Sequence, residues 1–233
     1  MNIFNLKRFS QREITLKMVR DPNCDPEILA EVLRRGKDDW VSQYAADNKN
    51  CPPELLDEVL GRGKDDGVSR CAAKNPNCPS EALAEVLRRG KDDWVSWYVA
   101  RNPNVLPEAL TEVLRMGKDD GVSCYAAQNP NCPPEVLAEV LRRGKNDGVS
   151  WYAAENPKCP PEILVEVLRR RKDDDVSENA ARNTNCPPRA AIEWMIANGK
   201  IQREDPNDPN IIVEYDEQPV DEDLEKLRKM VEK

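Results

Sequence analysis

The chain has 233 residues, 33% of them charged and 5% aromatic, with a formal net charge of −8 and no histidine. It has no apolar run of about 18 residues, the length of a membrane-crossing helix, and residues 1–8 lack the apolar stretch of a secretory leader, so no membrane association and a cytoplasmic location are expected. Charge is uneven: residues 1–20 carry five basic and one acidic side chain, 21–199 carry 24 and 31, and 200–233 carry six and eleven, a balance that matches a phosphate backbone poorly.

The first predicted element is an N-terminal capping helix within 1–23, with Ile14, Leu16, Met18 and Val19 as its apolar positions. From there the chain is periodic. Cys24, Cys51, Cys78, Val105, Cys132, Cys159 and Cys186 follow one another at a constant step of 27 residues, each within a Pro-Asn-Cys-Pro tetrad or a close variant. A period of this length is the mark of a solenoid, whose units bury their apolar faces only against their neighbours. Six units fill 24–185 and a half unit closes the array at 199, with Ile192, Trp194, Met195 and Ile196 replacing the usual pattern at the end that lacks a neighbour.

The unit from Cys132 to Lys158 stands for the rest. Cys132-Pro133-Pro134-Glu135 opens a helix, with proline in the first turn and Glu135 at capping-box distance from Cys132, which is therefore read as the N-cap. Val136, Leu137, Val140 and Leu141 fall on one face. Gly144 ends the helix in the left-handed region. Asp147 caps a second helix, Gly148 to Glu155, whose inner face is Val149, Ser150, Ala153 and Ala154, and Asn156-Pro157 stops it. Two helices per unit give an all-α solenoid of six 27-residue repeats with half-repeat caps. In the tail, 200–233, Ile211-Ile212-Val213 reads as a short extended segment and 221–233 as a short amphipathic helix that caps the array or binds a partner or a second copy.

The run from Ala126 to Leu137, Ala-Ala-Gln-Asn-Pro-Asn-Cys-Pro-Pro-Glu-Val-Leu, with its recurring Val-Ser-x-x-Ala-Ala, resembles the leucine-rich repeat variant family, a branch of the HEAT-like α-solenoids. The likeness covers roughly residues 8–199. It implies a right-handed superhelix and a binding or scaffold role. The unit here is longer than that family's, with the extra residues in the Gly-Lys-Asp-Asp turn, and the clustered cysteines of the iron–sulfur segment some members carry are missing before Cys24, so no cofactor is expected.

Six of the eight cysteines share one repeat position. Equivalent positions in neighbouring units stand roughly one helix-pair layer, about 10 Å, apart, beyond disulfide reach, and no C-x-x-C occurs to hold zinc. The repeated Lys-Asp-Asp turn suggests calcium, but helix capping explains it and the ligand spacing of a calcium loop is absent. Without histidine, a P-loop or a nucleophile elbow, and with its carboxylates duplicated in every unit, the chain is expected not to be an enzyme.

Comparison between units separates uniform from variable positions. Along the second helix, Val41, Ser42, Ala45 and Ala46 have near-identical counterparts throughout. Positions 40, 43 and 47 and their equivalents differ, and their spacing places them on one stripe. It holds Trp40, Gln43, Arg70, Lys74, Trp94, Trp97, Arg101, Gln128, Trp151, Glu155 and Arg182, flanked by Tyr44, Tyr98, Tyr125 and Tyr152. Trp, Tyr and Arg dominate interface hot spots. These residues are the candidate site of a non-enzymatic protein-binding scaffold, adaptor or inhibitor that holds a protein partner on the concave second-helix face. A competing reading fills the space beside Gly67, Gly121 or Gly148 with a neighbouring tryptophan. The alternative functions are a modular nucleic-acid binder stacking bases on the stripe, or an acidic mimic of nucleic acid.

Overall fold

In a computed structural model the chain divides into two compact units, residues 1–106 and 107–233. The structure describes residues 14–203 and 212–214. The first unit contains α1 (Leu16–Arg20), α2 (Pro26–Arg34), α3 (Trp40–Asp47), α4 (Pro53–Gly61), α5 (Gly67–Lys74), α6 (Ser80–Arg88) and α7 (Trp94–Arg101). The second contains α8 (Pro107–Arg115), α9 (Gly121–Gln128), α10 (Pro134–Arg142), α11 (Gly148–Glu155), α12 (Pro161–Arg169), α13 (Asp175–Arg182) and α14 (Pro188–Ala197), then a hairpin of β1 (Ile201–Arg203) and β2 (Ile212–Glu214). Each unit is an α-solenoid repeat in which nine-residue and eight-residue helices alternate.

Within the first unit the second helices form one row, α1 against α3, α3 against α5 and α5 against α7, while α2, α4 and α6 form the other. The second unit repeats this with α9, α11 and α13 in one row and α8, α10, α12 and α14 in the other. The core lies between the rows. First helices contribute Leu29 and Leu33, Leu56 and Leu60, and their counterparts, all buried, as their amphipathic spacing requires. Second helices present paired small residues such as Ala45–Ala46 and Ala153–Ala154, with no exposed surface, which lets neighbouring backbones approach closely.

The second helices start as expected. Asp39, Asp66, Asp93, Asp120, Asp147 and Asp174 each accept the backbone N–H three residues on, at 2.8–2.9 Å. The residue there is always a buried serine, and the hydroxyls of Ser42, Ser69 and Ser177 donate back to the same carboxylate. One aspartate thus satisfies an orphan amide and a hydroxyl that burial would otherwise strand. Gly144 is left-handed at φ +68°, as its place after the helix predicts; the sixth unit holds Arg171 in that conformation at φ +53°.

The first helices start differently from expectation. The N-cap is Pro52, Pro79, Pro133 or Pro160, and none of these helices has a side-chain cap. Cys132 is therefore not the N-cap, and Glu135, two residues past Pro133, does not close a capping box. In α4, α10 and α12 proline at both N-cap and N1 removes two amide N–H groups, and in α6 Pro79 removes one, so these orphan donors do not exist and need no acceptor. The cysteine is left free to turn inward: Cys51, Cys78, Cys132 and Cys159 are at most 2% exposed.

The Asn-Pro-Asn-Cys turn is also a link between units. Asn75 Nδ2 donates to Ala46 O at 2.7 Å and Asn48 O at 3.0 Å in the preceding unit, while its Oδ1 accepts Asn77 N at 2.8 Å. Asn48, Asn102, Asn156 and Asn183 donate in the same way to carbonyls 29 and 27 residues back. A second link runs along the other row: the guanidiniums of Arg62, Arg89, Arg143 and Arg170 donate to the carbonyls of Leu33, Leu60, Leu114 and Leu141, at the end of the preceding first helix. No described side-chain nitrogen or oxygen is buried without a partner.

At the far end Trp194 and Met195 are buried and Trp194 Nε1 donates to Lys172 O at 3.0 Å. β1 packs on α14 and pairs antiparallel with β2, in register Ile201↔Glu214. Ile212 and Val213 lie in this strand, as the apolar run predicts. The amphipathic helix expected at 221–233 and residues 1–13 lie outside the described residues.

Candidate functional site

The variable positions lie on the second-helix row of each unit, and the helix start places them. The capping aspartate and the inward Val-Ser and Ala-Ala pairs, three and four residues apart, fix the inner face, so positions 40, 43 and 47 and their equivalents fall on the opposite side of the helix. In the first unit Trp40 is 70% and Trp94 49% exposed, while Asp47, Lys74 and Arg101 are exposed and Gln43, Arg70 and Trp97 half-buried. In the second unit Gln128, Glu155 and Arg182 are exposed and Trp151 is half-buried.

The half-buried positions are held by the turn before them. Gln43 Nε2 donates to Asp38 Oδ1 at 3.0 Å, Arg70 Nε to Asp65 Oδ1 at 3.0 Å, and Trp97 Nε1 to Asp92 Oδ1. In these three Lys-Asp-Asp turns the second aspartate caps the helix and the first orients the stripe residue five places on. Lysine reaches back as well, Lys91 Nζ to Gly63 O and Lys172 Nζ to Gly144 O, both at 3.5 Å. The acids of the turn thus already serve protein donors. Among the described residues no three His, Cys, Asp or Glu gather as metal ligands do.

Aromatic and cationic groups meet along the first unit's row. The Trp94 and Trp97 rings lie 4.5 Å apart at 59°, and the Arg70 guanidinium sits 5.7 Å from the Trp94 centroid. Lys74 Nζ stands 4.0 Å over the Tyr98 ring, and Arg20 stands 3.9 Å over Tyr44 while donating to its hydroxyl. In the second unit Trp151 meets Tyr152 edge to face at 4.5 Å, and Arg182 is drawn to Glu178 at 2.7 Å. Beside Gly67 and Gly148 the nearest side chains are not tryptophans. A Cβ on Gly67 would lie 2.3 Å from Gln43 Nε2, and one on Gly148 3.0 Å from Cys124 Sγ, so the middle stripe residue of the preceding unit occupies that space. The tryptophans are left facing outward.

The cysteines offer little chemistry. All eight are free thiols. Burial pushes Cys51, Cys78, Cys132 and Cys159 up to about 12, and Cys71 and Cys186 up to about 11. A helix start could have lowered these values, but desolvation of the thiolate outweighs it.

Sequence reasoning missed the buried asparagines, whose signal was present: Asn recurs at this place in all six units, even where Lys49 or Thr184 replaces the following proline, although any helix-stopping residue would serve the turn. No known protein family, no curated protein and no solved structure matches this chain. Among the described residues no helix is long and apolar enough to cross a membrane.

Proposed function

We propose that this protein is a non-enzymatic, cytoplasmic scaffold or adaptor that binds a partner protein through the outward residues of its second-helix row. The observation that carries the reading is the exposure of Trp40 and Trp94, 70% and 49%, on helices whose other faces repeat almost unchanged. An indole left in water forgoes roughly 25 cal/mol per Å² of burial, and neighbouring units spend this position on glycine. The adjoining Arg70, Lys74, Trp97 and Arg101 add the cationic and aromatic groups that concentrate binding energy, and Gln128, Trp151, Glu155 and Arg182 extend the set on the second unit. The likeness to leucine-rich repeat variant and HEAT-like repeats favours the same role.

The test is affinity capture from lysate with and without nuclease, followed by titration of the purified partner against wild type and a Trp40→Ala/Trp94→Ala variant. The rings are exposed, so the variant should melt within a few degrees of wild type. A purified protein whose affinity falls at least tenfold in the variant supports the reading. Affinity unchanged in a folded variant refutes it, and capture abolished by nuclease moves the assignment to a nucleic-acid ligand.

A further inference from the structure

We propose that the groove between α12 and α14 docks the acidic segment 215–225 of this chain's own tail. The groove encloses about 550 Å³. Its apolar wall includes Val165, Leu168 and Trp194, and Arg169, Arg171 and Arg189 line it as well. In a chain of net charge −8 two of these arginines, Arg171 and Arg189, are departures from the repeat. Arg189 stands where each of the six units has glutamate (Glu162 in the last), a reversal of charge. Arg171 stands where the five earlier units have glycine, and it keeps the left-handed backbone at φ +53°, a conformation glycine adopts without strain.

The third arginine has lost its repeat partner. Arg115 pairs with Glu139 at 2.8 Å and Arg142 with Glu166 at 3.5 Å, each 24 residues on. The equivalent acceptor for Arg169 is Glu193, but Arg189 engages it at 2.9 Å. Among the described residues the Arg169 and Arg171 guanidiniums make no ion pair or hydrogen bond. Two uncommitted guanidiniums beside an apolar wall suit a carboxylate-rich peptide with scattered apolar side chains.

The tail has that composition and starts in the right place. β1 packs on α14, and its pairing sets Glu214 beside Ile201, four residues past the groove residue Ala197. Residues 215–225 carry Asp216, Glu217, Asp221, Glu222, Asp223 and Glu225 and no basic residue, with Tyr215, Val220 and Leu224 between them. At about 3.3 Å per residue, Asp216 to Asp223 reach from roughly 7 to 30 Å beyond Glu214, enough to follow the ~15 Å length of α14. Tethering holds the segment at millimolar effective concentration, so weak charge pairing suffices.

Carbodiimide cross-linking of the full chain, read by mass spectrometry on an equal mixture of ¹⁴N- and ¹⁵N-labelled protein, tests the proposal. Lys172 and Lys200 are the amines beside the groove, and the Lys200–Asp173 pair, 3.1 Å apart, is an internal reference. Cross-links from 216–225 to Lys172 and Lys200 are expected within single chains, and to fall at least fivefold relative to the reference in Arg171→Gly/Arg189→Glu. Both substitutions restore the residue the other units carry, so the variant should fold. Cross-links absent in wild type, or equal in the variant, overturn the proposal. So do cross-links found chiefly between differently labelled chains, which would make a second copy the occupant.

Discussion

Replacing Asn75 by alanine tests the reasoning about the inter-unit asparagines most directly. Asn75 is 1% exposed, and its amide makes three hydrogen bonds: to Ala46 O and Asn48 O through Nδ2, and from Asn77 N through Oδ1. Both nitrogen partners are carbonyl oxygens, so the amide can face only one way. A net hydrogen bond contributes about 1 kcal/mol, and a buried group left unpaired costs about 1–3 kcal/mol. Asn77 is exposed and its N–H can turn to water, whereas the Ala46 carbonyl belongs to a fully buried residue. The expected loss is therefore about 2–4 kcal/mol. Asn75→Asp keeps the shape and the acceptor but sets a carboxylate against two carbonyl oxygens, so it should lose at least as much near neutral pH. Asn48→Ala, at 7% exposure, should lose less. Urea unfolding followed by circular dichroism gives the free energies, and amide exchange across α3 and α5 locates the loss. A folded Asn75→Ala within about 0.5 kcal/mol of wild type would refute the argument that these amides fasten each unit to the one before it.

Three further outcomes follow from the same geometry. With thiols pushed up to about 12, Cys51, Cys78, Cys132 and Cys159 should alkylate about a thousandfold more slowly than free cysteine at pH 8, and all eight should label in urea; fast native labelling would contradict their burial. Because these values are raised on folding, the stability they contribute is present below pH 9 and should decline as pH rises toward 12. The Asp39 carboxyl is held below its ordinary 3.8, chiefly by the Ser42 N–H, so its contribution is present above about pH 4 and lost as pH falls through the folded value. Asp39→Ala should cost about 1 kcal/mol at pH 7 and flatten part of the acid limb of a melting-temperature profile. Arg171→Gly relieves a left-handed arginine and should stabilise the second unit by about 0.5–1 kcal/mol in thermal unfolding; a lower melting temperature would mean the arginine is held by contacts stronger than its strain.

What the sequence determined by itself was most of what acts within about four residues. The period, the span of α11 from Gly148 to Glu155, the Asp147 cap, the left-handed Gly144 and the buried face of Val149, Ser150, Ala153 and Ala154 all follow from local backbone chemistry and helical spacing. The reading of Cys132 as N-cap failed because hydroxyl-like capping and inward burial look alike in a repeat of small residues, and Pro133 already makes a cap unnecessary. Partners one unit away were not legible. The asparagine links span 27 and 29 residues, the space at Gly67 goes to Gln43 rather than Trp40, and Arg169 loses Glu193 to Arg189. The stripe could be named from its variability, but only packing decided which of its members are tied down by the turn aspartates and which face water. Such choices depend on how one unit stacks on another, a distance that the local sequence does not encode.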